Sequence, residues 1–149
     1  MLMQRLMGAG RRARVVLLVD DNEIVRKFIC AVLGQSADWE ILTAVTGDQA
    51  LAISRSFLDR IDLVISDIDM PGMNGLDLCQ ILARERPDIG VLLISGLPLV
   101  SGQGGVIYLP KPFSASALKG AIDNAVQLAL ARAGSGRAPA STVLESAGG

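Results

Sequence analysis

The sequence contains no histidine. A catalytic triad that uses His, an HExxH zinc site and a phosphohistidine on this chain are all excluded. If the chain handles phosphate, the phosphoryl group must arrive from another molecule. Aromatic residues are scarce, at 3% against 50% hydrophobic residues overall, so a core has to be built from Val, Leu, Ile and Ala. Only two cysteines occur, Cys30 and Cys79, far apart, with no CxxC, and both in apolar helical contexts. That pattern predicts buried, reduced thiols in a cytosolic protein rather than a disulfide framework or a zinc site.

Charge of either sign is nearly balanced, at a formal net of -1. Such a chain exerts no overall pull on nucleic acid. The basic cluster of Arg5, Arg11, Arg12 and Arg14 is expected to be a solvated N-terminal arm. No early apolar run is long enough for a signal-peptide core or a membrane span; the longest, residues 15–19, has the length of a strand. A cytoplasmic protein with no direct contact to membrane or nucleic acid is expected. At 149 residues the chain suits one domain. Residues 1–13 are read as a flexible arm, 14–132 as the domain, and 133–149 as a disordered tail rich in Gly, Ser and Ala.

Between the ends, short apolar runs alternate with helical patterns. Residues 15–19 form a continuous apolar run, the mark of a strand buried on both faces. Asp20, Asp21 and Asn22 then signal a helix start, with Ile24, Phe28 and Val32 at helical spacing and Gly34 as the stop. Further strands are predicted over 41–45, 63–66, 91–95 and 106–109. A helix follows Gly47 through Ala50, Leu51, Ser54 and Phe57, and another spans 76–84 after the turn-rich stretch 70–75. Residues 97–105 carry Pro98, Gly102, Gly104 and Gly105. At about 1 kcal/mol per Gly and about 3 per Pro relative to Ala, one or two helical turns are the most expected there. Ser114 is a candidate N-cap for a last helix through Leu118, Ile122, Val126 and Leu130. Five strand–helix repeats predict an α/β fold with a doubly wound parallel sheet, whose ligand site lies beyond the carboxyl ends of the strands.

The polar residues that interrupt the apolar runs fall at that edge: Asp20 and Asp21, Asp67, Ser95 and Lys111. Singly, each has an ordinary explanation. Asp20 or Asp21 suits a helix N-cap, Asp67 a strand-end turn, Lys111 the surface, and Ser95 alone says little. Together they make a site. Clustered carboxylates repel and raise one another's pKa unless a cation intervenes, and Mg²⁺ (or Mn²⁺) suits one or two carboxylates plus phosphate oxygens. An aspartate can be the nucleophile that forms an aspartyl phosphate. Lys111 offers a point charge and Ser95 a hydroxyl to phosphate oxygens.

The segments Val-Asp-Asp-Asn at 19–22, Asp-Leu-Val-Ile-Ser-Asp-Ile-Asp-Met-Pro-Gly-Met-Asn-Gly at 62–75, Leu-Leu-Ile-Ser-Gly at 92–96 and Tyr-Leu-Pro-Lys-Pro-Phe at 108–113 resemble the receiver (CheY-like) domains of bacterial two-component response regulators. The resemblance implies the flavodoxin-like strand order 2-1-3-4-5. It implies Asp67 as phosphoacceptor, and Asp20, Asp21, Asp67 and the backbone carbonyl of Asp69 as the metal set. Ser95 and Tyr108 become switch residues, and the Lys111–Pro112 bond is commonly cis in the family, which would aim the lysine into the site. The implied phosphodonor is a histidine kinase or a histidine phosphotransfer protein, and the output is a downstream protein, since no helix-turn-helix segment is seen after Arg132. The chain is expected to be no enzyme beyond promoting its own phosphorylation and dephosphorylation. The stretch from Ser95 to Lys111 is shorter than the family norm and its fourth helix looks short or degraded, so a dimer through that face is not implied. Two other readings stand beside this one. A phosphorylation-independent, receiver-like interaction module would keep the fold without the chemistry. A haloacid-dehalogenase-type phosphatase would use Asp67-Ile68-Asp69 as its acidic pair, although there that motif comes on the first strand.

Overall fold

The computed structural model describes residues 12–96 and 105–134. Five strands, β1 (Arg14–Val19), β2 (Trp39–Ala44), β3 (Leu63–Asp67), β4 (Gly90–Ser95) and β5 (Ile107–Pro110), alternate with four helices. These are α1 (Glu23–Leu33), α2 (Gly47–Ser56), α3 (Gly75–Glu85) and α4 (Ala115–Gly134). Every strand pairing is parallel and the order is β2-β1-β3-β4-β5, the doubly wound sheet the sequence predicts. The expected short or degraded helix of residues 97–104 lies outside the described residues, as do most of the expected arm and tail.

The central strands β1, β3 and β4 are almost wholly buried, which is why they read as unbroken apolar runs. Successive side chains of β1 point to opposite faces. Val15, Leu17 and Val19 pack with Leu51, Leu78 and Leu82 of α2 and α3. Val16 and Leu18 pack with Ile29 and Val32 of α1 and with Leu118, Ile122 and Val126 of α4. The core is therefore two aliphatic layers, one on each side of the sheet, and each layer fixes the direction in which the strand ends point.

Several expectations are corrected. Of the expected α1 stripe Ile24, Phe28 and Val32, only Val32 packs on the sheet. Ile24 is 79% and Phe28 40% exposed, while Ile29, Val32 and Leu33 face the sheet. The sheet takes the face of Ile29, Val32 and Leu33, which continues into the α4 layer. β2 begins at Trp39, two residues early, because Arg14 pairs with Trp39 at the start of β1. α3 begins at Gly75, capped by the Asn74 side chain, which accepts from the Asp77 N–H at 2.9 Å. Cys79 is buried but Cys30 is half-buried; both are free thiols. Ser114 does cap α4: its hydroxyl accepts from the Ala117 N–H at 3.0 Å. Leu130 at the far end of that helix is 43% exposed.

Arg86, just past α3, ties α2 to it. Its guanidinium donates to the carbonyls of Ser54, Phe57 and Asp59 and to the Ser54 hydroxyl, all within 2.9 Å. Those carbonyls lie at and beyond the C-terminal end of α2, where helical partners run out and a cation is favoured. Among the described residues no helix is long and apolar enough to cross a membrane.

Candidate functional site

The carboxyl edge of the sheet brings the predicted residues together. β1 runs into Asp20 and Asp21, β3 ends in Asp67, β4 ends in Ser95, and β5 delivers Lys111. One carboxylate oxygen from each of Asp20, Asp21 and Asp67 lies within 4.8 Å of the other two. Lys111 Nζ stands 3.3 Å from Asp67 Oδ2. The Lys111 N–H donates to the Ser95 carbonyl at 2.8 Å, which holds the end of β4 against the lysine loop. The Lys111–Pro112 peptide is cis.

Neither Asp20 nor Asp21 is the cap of α1. Asn22 is, its side chain accepting from the N–H groups of Ile24 and Val25 at 2.9 and 3.2 Å. Asp20 instead accepts from the Asn22 N–H through Oδ1 at 2.8 Å. Its Oδ2, and Oδ1 of Asp67, are buried with no hydrogen-bond partner among the described residues. A buried carboxylate oxygen left so is expensive. Two of them, on carboxylates that bring one oxygen each within 4.8 Å of one another, fit a hard cation with oxygen ligands such as Mg²⁺.

The electrostatics point the same way. Burial raises the pKa of Asp67 above the ordinary 3.8; the Lys111 ammonium and the Asp69 backbone N–H oppose the rise, and the Asp69 carboxylate adds to it. Burial likewise raises Asp20, opposed by the Asn22 N–H and by Lys111 and reinforced by the charges of Asp67 and Asp21. The protein alone thus leaves its acidic cluster under-compensated, with one ammonium to serve it. Asp69 adjoins the Asp67 carboxylate through its backbone. Ser95 is buried at the strand end, and Tyr108 is half-buried against the layer that holds α2 and α3.

Three features escaped the sequence reading. Gly75 N–H donates to the Ile68 carbonyl at 3.0 Å, and a Cβ on Gly75 would collide with the Asp67 carbonyl oxygen and lie 2.9 Å from its carbon. The start of α3 therefore sits directly on the Asp67 backbone. The Arg26 guanidinium donates through Nη1 to the Asp20 carbonyl at 2.8 Å. Beside the lysine, Ile24, Val25, Phe28, Pro112 and Phe113 border an apolar hollow of about 510 Å³, with the Phe28 and Phe113 ring centres 5.8 Å apart. Phe28 was visible as part of an apolar stripe, but nothing in the sequence marks its exposure.

A parallel α/β sheet with three aspartates and a lysine gathered at its carboxyl edge places an acidic cluster that could hold a metal ion on a doubly wound fold. The chain belongs to the response regulator receiver domain family, whose model matches residues 16–123. It is thus a receiver domain of two-component systems. It is 35% identical over 105 residues to a probable transcriptional regulatory protein, TcrX, of Mycobacterium tuberculosis, covering 66% of this chain and 44% of that protein. It is 36% identical over 108 residues to the sensor kinase CckA of Brucella abortus, covering 66% of this chain and 11% of that one. The chain thus spans less than half the length of either relative. Among solved structures it is similar to the signal receiver domain of an HD domain-containing protein from Pseudomonas fluorescens. The TM-score is 0.70 at 26% identity, covering 80% of this chain and 99% of the other.

Proposed function

We propose that this chain accepts a phosphoryl group on Asp67 from a histidine kinase or a histidine phosphotransfer protein, in a Mg²⁺-dependent reaction, and signals to a protein partner through a conformational switch. The observation that carries this reading is the pair of buried carboxylate oxygens, on Asp20 and on the Lys111-paired Asp67, that have no hydrogen-bond partner among the described residues. A carboxylate oxygen of Asp67 attacks the phosphorus, the phosphorus–nitrogen bond of the donor breaks, and the electron pair stays on the donor imidazole. Asp20, Asp21, Asp67 and the Asp69 carbonyl are the groups that would hold the ion. When bound, Mg²⁺ (or Mn²⁺) supplies positive charge against the phosphoryl oxygens. Lys111 holds a second positive charge at the Asp67 carboxylate, and its half-exposed stem lets it follow an oxygen of the incoming group. The Ser95 hydroxyl lies at the strand end within the same edge, and Tyr108 lines the layer behind it, the pair suited to register the added charge.

The donor histidine lies outside these 149 residues, which contain none. The apolar hollow bordered by Phe28 and Phe113 adjoins Lys111, and a protein that delivers its phosphoryl group to Asp67 would cover it. Location in the cytoplasm, where such donors present their histidines, follows from the same reading.

Profiling phosphotransfer from a panel of histidine kinases onto the wild-type chain and Asp67→Asn tests the proposal. Label is expected on the wild type with at least one kinase, only with Mg²⁺ present, and not on the variant. A chain that takes no label from any donor but still binds a partner would be the phosphorylation-independent module instead.

A further inference from the structure

The three carboxylates of the site are not equally restrained. Asp67 is buried at a strand end and ion-paired to Lys111. Asp20 is buried and its side chain is held by the Asn22 N–H. Asp21 is exposed, and it follows the last residue of β1 by only two positions. Whether its carboxylate meets the other two depends on how the chain turns between β1 and α1.

That turn has an unusual clamp. The Asp20 N–H donates to the Ala44 carbonyl at 3.2 Å, which ends the β1–β2 ladder. The Asp20 carbonyl accepts from Arg26 Nη1 at 2.8 Å. This carbonyl and the Asp21 N–H belong to one planar peptide unit, so fixing the oxygen fixes the plane and with it the direction in which Asp21 leaves it. Arg26 is half-buried on α1, which is itself anchored to the sheet by Ile29, Val32 and Leu33. The guanidinium is a charged donor, and such hydrogen bonds are the stronger kind.

We infer that Arg26 is a positioning residue for the metal site: by holding the Asp20–Asp21 peptide it aims the Asp21 carboxylate at the oxygens of Asp20 and Asp67. The inference rests on the cation site proposed above. It makes a prediction opposite in sign to that of simple charge. A cation near the site repels a second cation, so if Arg26 acted only through its field, removing it would tighten binding of a divalent ion. If Arg26 positions Asp21, removing it weakens binding, by about tenfold on the scale of groups that orient metal ligands.

The test is a titration with Mn²⁺, free ion being read from its electron paramagnetic resonance signal, on wild type, Arg26→Met, Arg26→Lys and Asp21→Asn. Met keeps the aliphatic stem and removes donor and charge; Lys keeps both. Thermal melts in EDTA establish that each variant is folded at the titration temperature. Weaker binding by R26M, largely recovered by R26K, is the expected result. Equal or tighter binding by R26M overturns the inference; if R26M does not fold, Arg26→Gln, which removes the charge and shortens the reach to the Asp20 carbonyl, takes its place, with weaker binding supporting the inference and equal or tighter binding overturning it. Should wild type fail to bind Mn²⁺, or D21N bind as well as wild type, the cation site itself is wrong and the inference goes with it. Loss in D21N without loss in R26M removes only the role given to Arg26.

Discussion

Replacing Gly75 with Ala sets two effects against each other. Gly75 opens α3, and Ala is the better helix former by up to about 1 kcal/mol in a helix interior. On propensity alone the variant should be neutral or stabilised. The structure predicts otherwise, because the added methyl collides with the Asp67 carbonyl oxygen and sits 2.9 Å from the Asp67 carbonyl carbon and 3.0 Å from the Ile68 Cα. These are backbone atoms of the strand end and cannot swing aside. Either α3 retreats and weakens the Gly75–Ile68 hydrogen bond, or Asp67 shifts. Overpacking of this sort costs about 1–3 kcal/mol, and a weakened hydrogen bond about 1 kcal/mol more. After the propensity gain, the net loss is about 1–3 kcal/mol. Urea melts in EDTA measure it, and the corresponding drop in Tm is roughly 5–15 °C. Divalent-ion affinity should fall as well, since the colliding carbonyl belongs to Asp67, one of the clustered carboxylates. A Gly75→Ala chain as stable as wild type, with unchanged affinity, would refute the claim that the helix and the Asp67 backbone are in hard contact.

Arg86→Ala removes a half-buried guanidinium that serves three carbonyls and a hydroxyl, and should cost about 2–3 kcal/mol in urea melts. Glu85→Ala, which breaks the solvent-exposed pair with Arg55, should change the same melts little. Asp20 and Asp67 both have raised pKa values, so the folded, metal-free chain keeps them protonated to higher pH than the unfolded chain does. That contribution to stability is fully present below the ordinary Asp value and is lost as pH rises through the folded values. Asp20→Asn should therefore stabilise the metal-free chain at neutral pH, with the gain shrinking as pH falls, in melts run with EDTA. Divalent-ion affinity should fall as pH is lowered through the same raised values, because protons and the cation compete for the carboxylates; calorimetric titration across pH checks this.

The strands were legible because β1, β3 and β4 are buried on both faces, so burial writes itself into the sequence as an unbroken apolar run. The site was legible for the same reason: Asp20, Asp67, Ser95 and Lys111 each break off or follow such a run, and a parallel sheet sends all those breaks to one edge. Helix faces were harder to read. Periodicity shows that α1 has apolar residues at Ile24, Phe28 and Val32, but not that Val32 packs with Ile29 and Leu33 while Ile24 and Phe28 stay exposed. The helix-start signal Asp20, Asp21 and Asn22 contains the cap of α1, but all three are good caps and only the backbone turn decides that it is Asn22. Arg26 and Gly75 act through single carbonyl oxygens, and no side-chain pattern records where a carbonyl points. Arg86, which looks like a surface arginine between Glu85 and Pro87, belongs to the same class.

The most direct measurement locates the phosphoryl group itself. The chain is incubated with a phosphorylated donor and Mg²⁺, the acyl phosphate is reduced with borohydride, and the peptides are read by mass spectrometry. Conversion of residue 67 from aspartate to homoserine, abolished when EDTA replaces Mg²⁺, is the predicted result. Reduction at another aspartate, or none after a donor has demonstrably lost its phosphate to the chain, would contradict it.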